Sequence, residues 1–495
     1  MLLPNLDWKS SKPIALQLQE QIREHLESRA LRVGERLPST RHLADLLGIH
    51  RSTVAQAYQE LWAQGWLDQR PGSAPRVRAR LAPAGNAPTA RKGAFDWSAQ
   101  IAEPVREALG THRALVGNPS REGFINFANL HMDPRLFPVE AFRACLARAM
   151  KRGGASLLTY GDRQGYRPLR EFLARRMALH GVDTTADEIL ITTGSQQALE
   201  LLLRLVAQPG GSVAVESPTY SLFLPLLRLL GLKPIEIPYG ADGMDLDVLE
   251  RAMERERPLL VYTMPNFQNP TGRSASQGNR EGLLELCTRH GVPILEDGFE
   301  EEMKYFGRVT PPIKAMDRQG LVAYCGSFSK VLFAGVRVGW IVAPKACLEP
   351  LLALRHFSEI MPTMIPHAAL HEFCERGLYD LHISRMHRIY RKRMQTALRA
   401  LRQHLDPAWA RWEDPKGGYL IWLQLTAPKG RRPDWDTVFE AERVQVSPGN
   451  QYSPYRTHGS WIRLSISLLD EDQIEEGVRR LAAALARIHG GARRP

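Results

Sequence analysis

The sequence lacks any apolar run long enough to cross a membrane, and its best candidate, "LELLLRLVA", is interrupted by Arg204. It also lacks the charged start and apolar stretch of a secretory signal peptide. Its five cysteines are scattered and never form a C-x-x-C pair, which argues against a disulfide framework and against a zinc cluster. We therefore expect a protein of the reducing cytoplasm, with no membrane span and no metal site.

Acidic residues are in deficit, because 65 Lys and Arg face 53 Asp and Glu, a formal net charge of +12. Between Met1 and Arg80 the excess is modest, with 12 basic against 8 acidic residues. This charge suits a nucleic-acid partner, but a solvated surface explains it equally well. The case for DNA binding therefore depends on sequence pattern.

Large apolar residues are absent from "APAGNAPTARKGA", residues 82–94, a composition typical of a linker. We assign residues 81–120 to this linker, 9–80 to a first domain and 121–490 to a second. In the second domain, helical periodicities alternate with short apolar runs: "EILITT", "SVAVES", "LLVYTM", "VPILED" and "LVAYCG". This alternation predicts an α/β domain with a mainly parallel sheet.

The first domain shows a helix-turn-helix pattern. An initial helix places most of its apolar residues on one stripe: Ile14, Leu16, Leu18, Ile22 and Leu26. Two further helices are joined at Gly48, and the first of them is capped by Ser39 or Thr40. The second, from about Arg51 to Ala63, turns four residues inward: Val54, Ala57, Tyr58 and Leu61. Its N-terminal end offers polar residues where a recognition helix meets DNA: His50, Arg51, Ser52, Thr53 and Gln56. A small helical interaction domain is the alternative interpretation.

Residues 13–77, with "GERLPSTRHLADLLGIHRSTVAQAYQELWAQGW", resemble the winged helix-turn-helix of the GntR family of bacterial repressors. The resemblance implies DNA contacts from six residues: Ser39, Arg41, Arg51, Ser52, Thr53 and Gly72. The wing differs from the family pattern, because Ala74 and Pro75 stand where a glycine and a threonine are usual.

Two charges of the second domain stand in apolar surroundings. In "SFSKVLFAGVRVGW", Lys330 lies between a serine-rich turn and an apolar run, where an ammonium is costly to bury unless it is neutralised. In "PILEDGF", Asp297 ends a predicted buried strand, where a carboxylate needs a cationic partner to stay charged. Each residue alone also fits a buried salt bridge.

The stretch "ILITTGSQQALELLLRLV" predicts an anion site, because Gly194, Ser195 and Gln196 join a strand to the N-terminus of a helix. Phosphate at this turn, a protonated ring nitrogen on Asp297 and an aldehyde in an imine with Lys330 together describe pyridoxal 5′-phosphate. That cofactor is the ligand that the pattern predicts.

Two more side chains fit the same cofactor. Arg337 offers a planar fork for the phosphate, and Tyr220 in "SPTY" can stack over the ring. For each residue alone, an ordinary structural role fits equally well. The order of all these residues along the chain favours the cofactor.

From about Ile125 to His489 the chain resembles fold-type I aminotransferases, most of all the aminoadipate and kynurenine branch, through "GSQQAL", "SPTY", "PNFQNPTG", "LEDGF", "GSFSK", "RVGW" and "IRLSIS". The resemblance implies a small C-terminal α+β subdomain. It also implies that Lys330 forms the imine and that Asp297 meets the ring nitrogen. The resemblance also implies that Tyr220 contacts the ring, that Asn269 binds the ring hydroxyl and that Arg463 binds the substrate carboxylate. Four residues would bind the phosphate: Ser195, Gln196, Ser327 and Arg337. Tyr160 would reach the phosphate of a neighbouring subunit in a homodimer.

The sequence departs from this family at two places. Phe299 and Glu300 stand where a tyrosine usually hydrogen-bonds the ring hydroxyl. Leu130 replaces a usual glycine, and Met132 replaces a proline, in "LHMDPRLFP". These changes affect the electronics of the imine and the mouth of the site.

The whole domain order resembles the MocR subfamily of transcriptional regulators. The resemblance implies a regulator that binds operator DNA and senses an amino acid, an amine or a pyridoxal phosphate compound. We also expect a cytoplasmic homodimer, head-to-tail with exchanged domains, because a fully extended 82–94 segment could span about 40 Å and cross between subunits. A working aminotransferase with an appended DNA-binding domain is the second hypothesis. A repressor that holds the cofactor only for stability is the third.

Overall fold

A computed structural model of the chain describes residues 4–28, 30–68, 73–78, 95–116, 121–299, 301–307, 310–428 and 433–490. These residues belong to two units, Met1–Ala99 and Gln100–Pro495. Within the described residues, no helix combines the length and the apolar composition that a membrane span needs. The part of the predicted linker that is described contains a 3₁₀ turn, Trp97–Gln100, and a helix, Glu103–Val116.

The first unit is a three-helix domain with a two-stranded wing. Its helices are α1 (Ile14–Glu27), α2 (Thr40–Leu47) and α3 (Arg51–Ala63), and its strands are β1 (Leu67–Asp68) and β2 (Arg76–Val77). Ser39 caps α2 by accepting from the His42 N–H at 3.2 Å. Gly48 ends α2 in the left-handed conformation at φ 63°, where glycine carries no Cβ penalty. These local signals confirm the predicted helix-turn-helix.

The core of this unit contains the predicted inward face of α3, because Val54, Ala57, Tyr58 and Leu61 are all buried. The stripe on α1 was predicted one residue too wide. Leu16 is 39% exposed, whereas Leu18 is fully buried. Two positions along a helix rotate the side chain by about 200°, so both residues cannot face one core.

The second unit is built on a seven-stranded sheet in the order β4-β10-β9-β8-β7-β5-β6. The strands are β4 (Ile189–Thr192), β5 (Ser212–Ser217), β6 (Lys233–Pro238), β7 (Val261–Thr263), β8 (Ile294–Asp297), β9 (Val322–Ser327) and β10 (Gly339–Val342), after a short β3 (Ile125–Asn126). The neighbours from β6 to β9 are parallel, and β10 is antiparallel to both of its neighbours. The mainly parallel sheet is thus confirmed, and each of the five predicted apolar runs coincides with one strand, although β9 extends one residue beyond its run.

Helices precede, connect and follow these strands. They are α4 (Glu103–Val116), α5 (Val139–Gly153), α6 (Arg167–Leu179), α7 (Ser195–Val206), α8 (Phe223–Leu229), α9 (Leu246–Glu256), α10 (Gln277–His290), α11 (Lys345–Glu359), α12 (Met364–Glu375) and α13 (Leu378–His404). Apolar faces of α7 and α8 pack on one side of the sheet with Val213 and Tyr262. Residues of α9 and α10 pack with Ala214 and Ile294 in a separate cluster.

A smaller α+β subdomain completes the C-terminal part, as expected. Its four-stranded antiparallel sheet has the order β11-β12-β15-β14, formed by β11 (Ala410–Trp412), β12 (Leu420–Leu425), β14 (Ser447–Pro448) and β15 (Trp461–Ser465). The remaining elements are α14 (Trp435–Ala441), β13 (Val444–Gln445) and α15 (Glu471–His489). Strand β13 pairs in parallel with β3, and this pairing joins the N-terminal part of the unit to its C-terminal subdomain.

Candidate functional site

A cavity of about 220 Å³ lies where the carboxyl ends of the parallel strands meet the C-terminal subdomain. Ligand sites of open α/β sheets occur at this edge. Six of the predicted site residues line the cavity: Ser195, Tyr220, Asn269, Asp297, Lys330 and Arg463. Gly194 and Gln196 flank the lining residue Ser195, and Ser327 lies two residues before the lining residue Ser329. Arg337 follows Lys330 by seven residues and reaches this region through the contacts given below.

Asp297 ends β8 with only 2% of its surface exposed. The Tyr262 hydroxyl on the neighbouring strand donates to its Oδ2 at 3.0 Å, while no described residue makes a hydrogen bond to Oδ1. Burial raises the pKa of Asp297 to about 6, although contacts with Tyr262, Cys325 and the Phe299 N–H lower it. A desolvated carboxylate with one open oxygen is suited to a cationic N–H donor.

Lys330 projects into the same cavity from the turn after β9. Its Nζ donates to the Leu130 carbonyl at 2.6 Å, and its own carbonyl accepts from the Tyr419 hydroxyl at 2.7 Å. The loop that carries Leu130, one of the departures noted in the sequence, therefore holds the amine in place.

Three neighbouring strands build the predicted anion site. Gly339 on β10 pairs with Ser327 on one side and with Thr192 on the other. A Cβ at Gly339 would lie 2.9 Å from the Ser195 nitrogen, so only glycine lets α7 begin this close to the sheet. Ser327 and the first turn of α7 are thereby brought together.

Arg337 lies across the same turn, and its Nη2 donates to the Thr193 carbonyl at 2.8 Å. Gly194 has φ 82°, and a Cβ there would lie 2.7 Å from Arg337 Nη2. The glycine therefore makes room for the guanidinium beside the N-terminus of α7, where backbone N–H groups and the helix dipole favour an anion.

Arg463 on β15 is 6% exposed and lies against the Tyr452 ring, 5.3 Å from its centroid. Its Nη1 donates to Asn269 Oδ1 at 3.1 Å, and its Nη2 donates to the Ala128 carbonyl at 2.5 Å. Its Nε is buried without a partner among the described residues. The guanidinium thus keeps donors for a carboxylate.

Two other predicted residues, Gln196 and Tyr160, do not line the cavity. Gln196 accepts from the Tyr220 hydroxyl at 3.4 Å and donates to the Leu222 carbonyl at 3.3 Å. Tyr160 is 82% exposed and does not line the cavity of its own chain. Phe299 does line it, whereas Glu300 lies outside the described residues.

The predicted DNA-contacting residues surround the start of α3. Arg41, Arg51 and Gln56 are exposed, and Thr53 is half-buried. Arg51 Nε donates to Thr40 Oγ1 at 3.3 Å, which directs its side chain towards the start of α2.

Two of the predicted residues also serve the helix itself. His50 is the N-cap of α3, with its Nδ1 2.6 Å from Ser52 Oγ. Ser39 has the corresponding role at α2. Gly72 lies outside the described residues, whereas Ala74 and Pro75 precede β2.

Comparison with known proteins gives a family for each unit. Residues 133–481 match aminotransferase class I and II, and residues 14–77 match bacterial regulatory proteins of the gntR family. Among solved structures, LysN, the α-aminoadipate aminotransferase of Thermus thermophilus complexed with N-(5′-phosphopyridoxyl)-L-leucine, is similar with a TM-score of 0.73 and 32% identity. The similarity covers 80% of this chain and 100% of that one.

Two regulators match both units. The uncharacterized HTH-type transcriptional regulator YdcR of Escherichia coli is 32% identical over 471 residues, covering 94% of this chain and 97% of that protein. The probable rhizopine catabolism regulatory protein MocR of Rhizobium meliloti is 27% identical over 495 residues, covering 99% and 97%. The chain belongs to the MocR subfamily of GntR-type transcriptional regulators. The predicted family, fold class and DNA-binding domain are therefore confirmed.

Sequence reasoning missed the carboxylate that organises this MocR-type site. Glu216 on β5 is fully buried and accepts from Thr263 Oγ1 at 2.5 Å, the Met264 N–H at 2.9 Å and Gln268 Nε2 at 3.0 Å. Gln268 also donates to the Pro218 carbonyl at 2.6 Å. The loop that carries Tyr220 is thus tied to the loop that carries Asn269. An isolated charge in the apolar run "SVAVES" was the available signal.

A buried arginine supports the second of these loops from behind. Arg280 Nη2 donates to the Pro265 carbonyl at 2.7 Å and to Asn266 Oδ1 at 2.8 Å, and Nη1 donates to the Pro311 carbonyl at 2.9 Å. Because these bonds join Arg280 to residues that are distant in sequence, no local pattern predicts them.

Replacing Glu216 by Gln should lower the free energy of unfolding of the second unit by about 1–3 kcal/mol, because an amide nitrogen would then face a buried donor. The measurement is the urea midpoint, with the exposed Glu254→Gln on α9 as the matched control. Equal midpoints for the two variants would show that the network contributes nothing.

Replacing Arg51 by Ala should weaken operator binding by about 1–3 kcal/mol if the guanidinium contacts a base, or weaken all duplexes alike with a smaller salt slope if it contacts phosphate. Arg23→Ala on α1 is the control. Titrations of labelled operator and non-operator duplexes at two salt concentrations distinguish the two cases. Unchanged affinity for both duplexes would contradict the placement of α3 on DNA.

Proposed function

We propose that this regulator senses an amino compound through pyridoxal 5′-phosphate held in the cavity of its second unit, and that the response is a change in DNA binding by its first unit. The observation that carries this proposal is the convergence of Asp297 and Lys330 on one cavity. The cofactor is that of the aminotransferase family to which the second unit belongs.

The residues present fit this cofactor. The open oxygen of Asp297 suits a protonated ring nitrogen, and the turn at Gly194 and Ser195 suits a phosphate. Lys330 places an amine in the cavity that Asp297 and Ser195 line. When bound, pyridoxal phosphate supplies an aldehyde that condenses with amines and a ring that accepts electrons.

In this proposal each side chain has a definite task. Tyr220 packs on the ring and Asn269 binds the ring hydroxyl. Four residues hold the phosphate: Ser195, Gln196, Ser327 and Arg337. Arg463 binds the carboxylate of the ligand, while Asp297 holds the proton of the ring nitrogen.

The DNA contacts in this proposal come from the start of α2 and from α3. Arg41, Arg51 and Gln56 contact the duplex, together with Ser39, His50, Ser52 and Thr53 where their capping bonds permit. Gly72 is proposed from the family resemblance alone.

We further propose that the active unit is a head-to-tail homodimer. Large apolar side chains are exposed near Tyr160, since Leu158 is 66% exposed, and the end of α11 adds Phe357 at 89% and Ile360 at 55%. Such side chains favour burial against another protein surface. In the dimer, Tyr160 reaches the phosphate of the partner subunit.

A working aminotransferase is the second candidate, because Asp297, Lys330 and Arg463 line one cavity, as a transamination site would require. Sustained conversion of a keto acid in the presence of an amino donor would favour it. A change in absorbance without turnover would favour the sensor.

Lys330→Ala should remove the covalent attachment of the cofactor. Borohydride reduction followed by mass spectrometry should find the cofactor on the Lys330 peptide of the parent protein, and of the exposed-site control Lys345→Ala, but not of Lys330→Ala. Covalent cofactor retained in Lys330→Ala would contradict the assignment.

Cofactor affinity should rise as the pH increases through about 6, because the ionised Asp297 is the form that binds the ring nitrogen and burial holds its pKa near this value. Below pH 6 Asp297 is mostly protonated, so its ionisation costs part of the free energy of cofactor binding. The ratio of dissociation constants for Asp297→Asn and the parent should grow about tenfold from pH 5 to pH 7. A ratio independent of pH would exclude this role.

A further inference from the structure

We propose that the ligand of this sensor is an amino acid with one carboxylate and a side chain that ends in an uncharged hydrogen-bonding group, such as a carboxamide, and that Gln451 and His131 select this group. The inference rests on the proposed sensing function and specifies its ligand class.

The first argument is the number of cations. Among the described residues that line the cavity, only Lys330 and Arg463 carry permanent positive charge. Lys330 is committed to the cofactor. Arg463 keeps unused donors beside its bonds to Asn269 and Ala128, which suits a single carboxylate.

The second argument is the chemistry of the remaining wall. Ser447 lies directly across from Arg463 in the pairing of β14 with β15, and its Oγ is 2.6 Å from the Tyr452 hydroxyl. Gln451 Oε1 accepts from Ser447 Oγ at 3.3 Å, which leaves the Gln451 amide nitrogen as a donor. These groups offer hydrogen bonds without charge next to the carboxylate site.

His131 completes the wall on the side of Lys330. Burial lowers the pKa of His131, so its imidazole is neutral at pH 7. A neutral imidazole both donates and accepts, as a carboxamide does. His131 therefore supplies no third cation.

These features disfavour two kinds of ligand, those with a second carboxylate and those with an apolar side chain. A second carboxylate would lose its water beside the uncharged Gln451 and Ser447 without gaining a cation, and a buried unpaired charge is costly. An apolar side chain would leave the Gln451 amide nitrogen without a partner, and sites built from hydrogen-bonding groups reject such ligands. A carboxamide avoids both costs.

The test compares ligands of equal carbon-chain length on the full-length, cofactor-loaded protein. Absorbance of the bound cofactor gives dissociation constants for glutamine, glutamate and norvaline, and for asparagine and aspartate, with alanine as the reference. For at least one of the two lengths we expect the amide to bind roughly tenfold more tightly than its acid. Acids that bind as tightly as the amides at both lengths would overturn the inference, and so would norvaline that binds as tightly as glutamine where glutamine is the preferred amide.

Two variants assign the discrimination to Gln451. Gln451→Arg should invert the preference so that the acid binds more tightly than the amide, and Gln451→Leu should reduce the advantage of the amide over norvaline. The exposed Gln403→Arg on α13 should keep the ratios of the parent. Ratios unchanged in both Gln451 variants would contradict the role of this residue.

One result separates this inference from the function on which it rests. If the cofactor is bound but no amino acid, alanine included, alters its absorbance, the sensing function itself is wrong. If alanine binds and the amides have no advantage, only the ligand class is wrong.

Discussion

The site depends on the unequal hydrogen bonding of carboxylates buried at one edge of the large sheet. Glu216 on β5 and Glu296 on β8 are both buried, and both have their oxygens occupied by protein donors. Asp297, the residue after Glu296, has one oxygen occupied and one open. Because an unpaired buried acceptor costs free energy, the satisfied acids maintain the framework, and the open oxygen of Asp297 favours a ligand that donates a hydrogen bond.

The parallel direction of the strands brings the framework acid Glu216 and the ligand-binding Asp297 to the same edge of the sheet. Strands β5, β7 and β8 are neighbours and run in one direction, so Glu216, Thr263 and Asp297 reach the same edge. Glu216 binds the loop that follows β7 and carries Asn269, and Gln268 of that loop donates to the Pro218 carbonyl in the loop that follows β5 and carries Tyr220. A framework acid thereby determines where the ligand-binding side chains lie. The glycines at 194 and 339 serve the same end, because they admit Arg337 and α7 to the sheet.

Much of this arrangement could be predicted from the sequence, because each motif combines an apolar run with a turn that fixes where the strand ends. Lys330 and Asp297 were found because a charge in an apolar run is conspicuous. Strand β6, with its alternating "KPIEIP", was missed since an edge strand is half exposed, and α4 was missed because a Pro/Ala-rich composition dominated its neighbourhood. The bonds of Gln268, Arg280 and Leu130 join segments distant in sequence, so only the fold reveals them.

Arg463 connects the ligand to the beginning of the second unit. Its bonds to Asn269 and to the Ala128 carbonyl would compete with a bound carboxylate, and Ala128 follows β3, the first strand after the chain leaves the DNA-binding unit. Moving an equilibrium from 1:99 to 99:1 requires about 5.5 kcal/mol of differential affinity. A bound carboxylate gains charge-assisted hydrogen bonds of about 1.5–3 kcal/mol each but replaces two bonds of the same guanidinium, so only the difference between the two sets contributes. A ligand that reaches the cavity without a carboxylate would leave these bonds intact, and it would bind without transmitting its presence to β3.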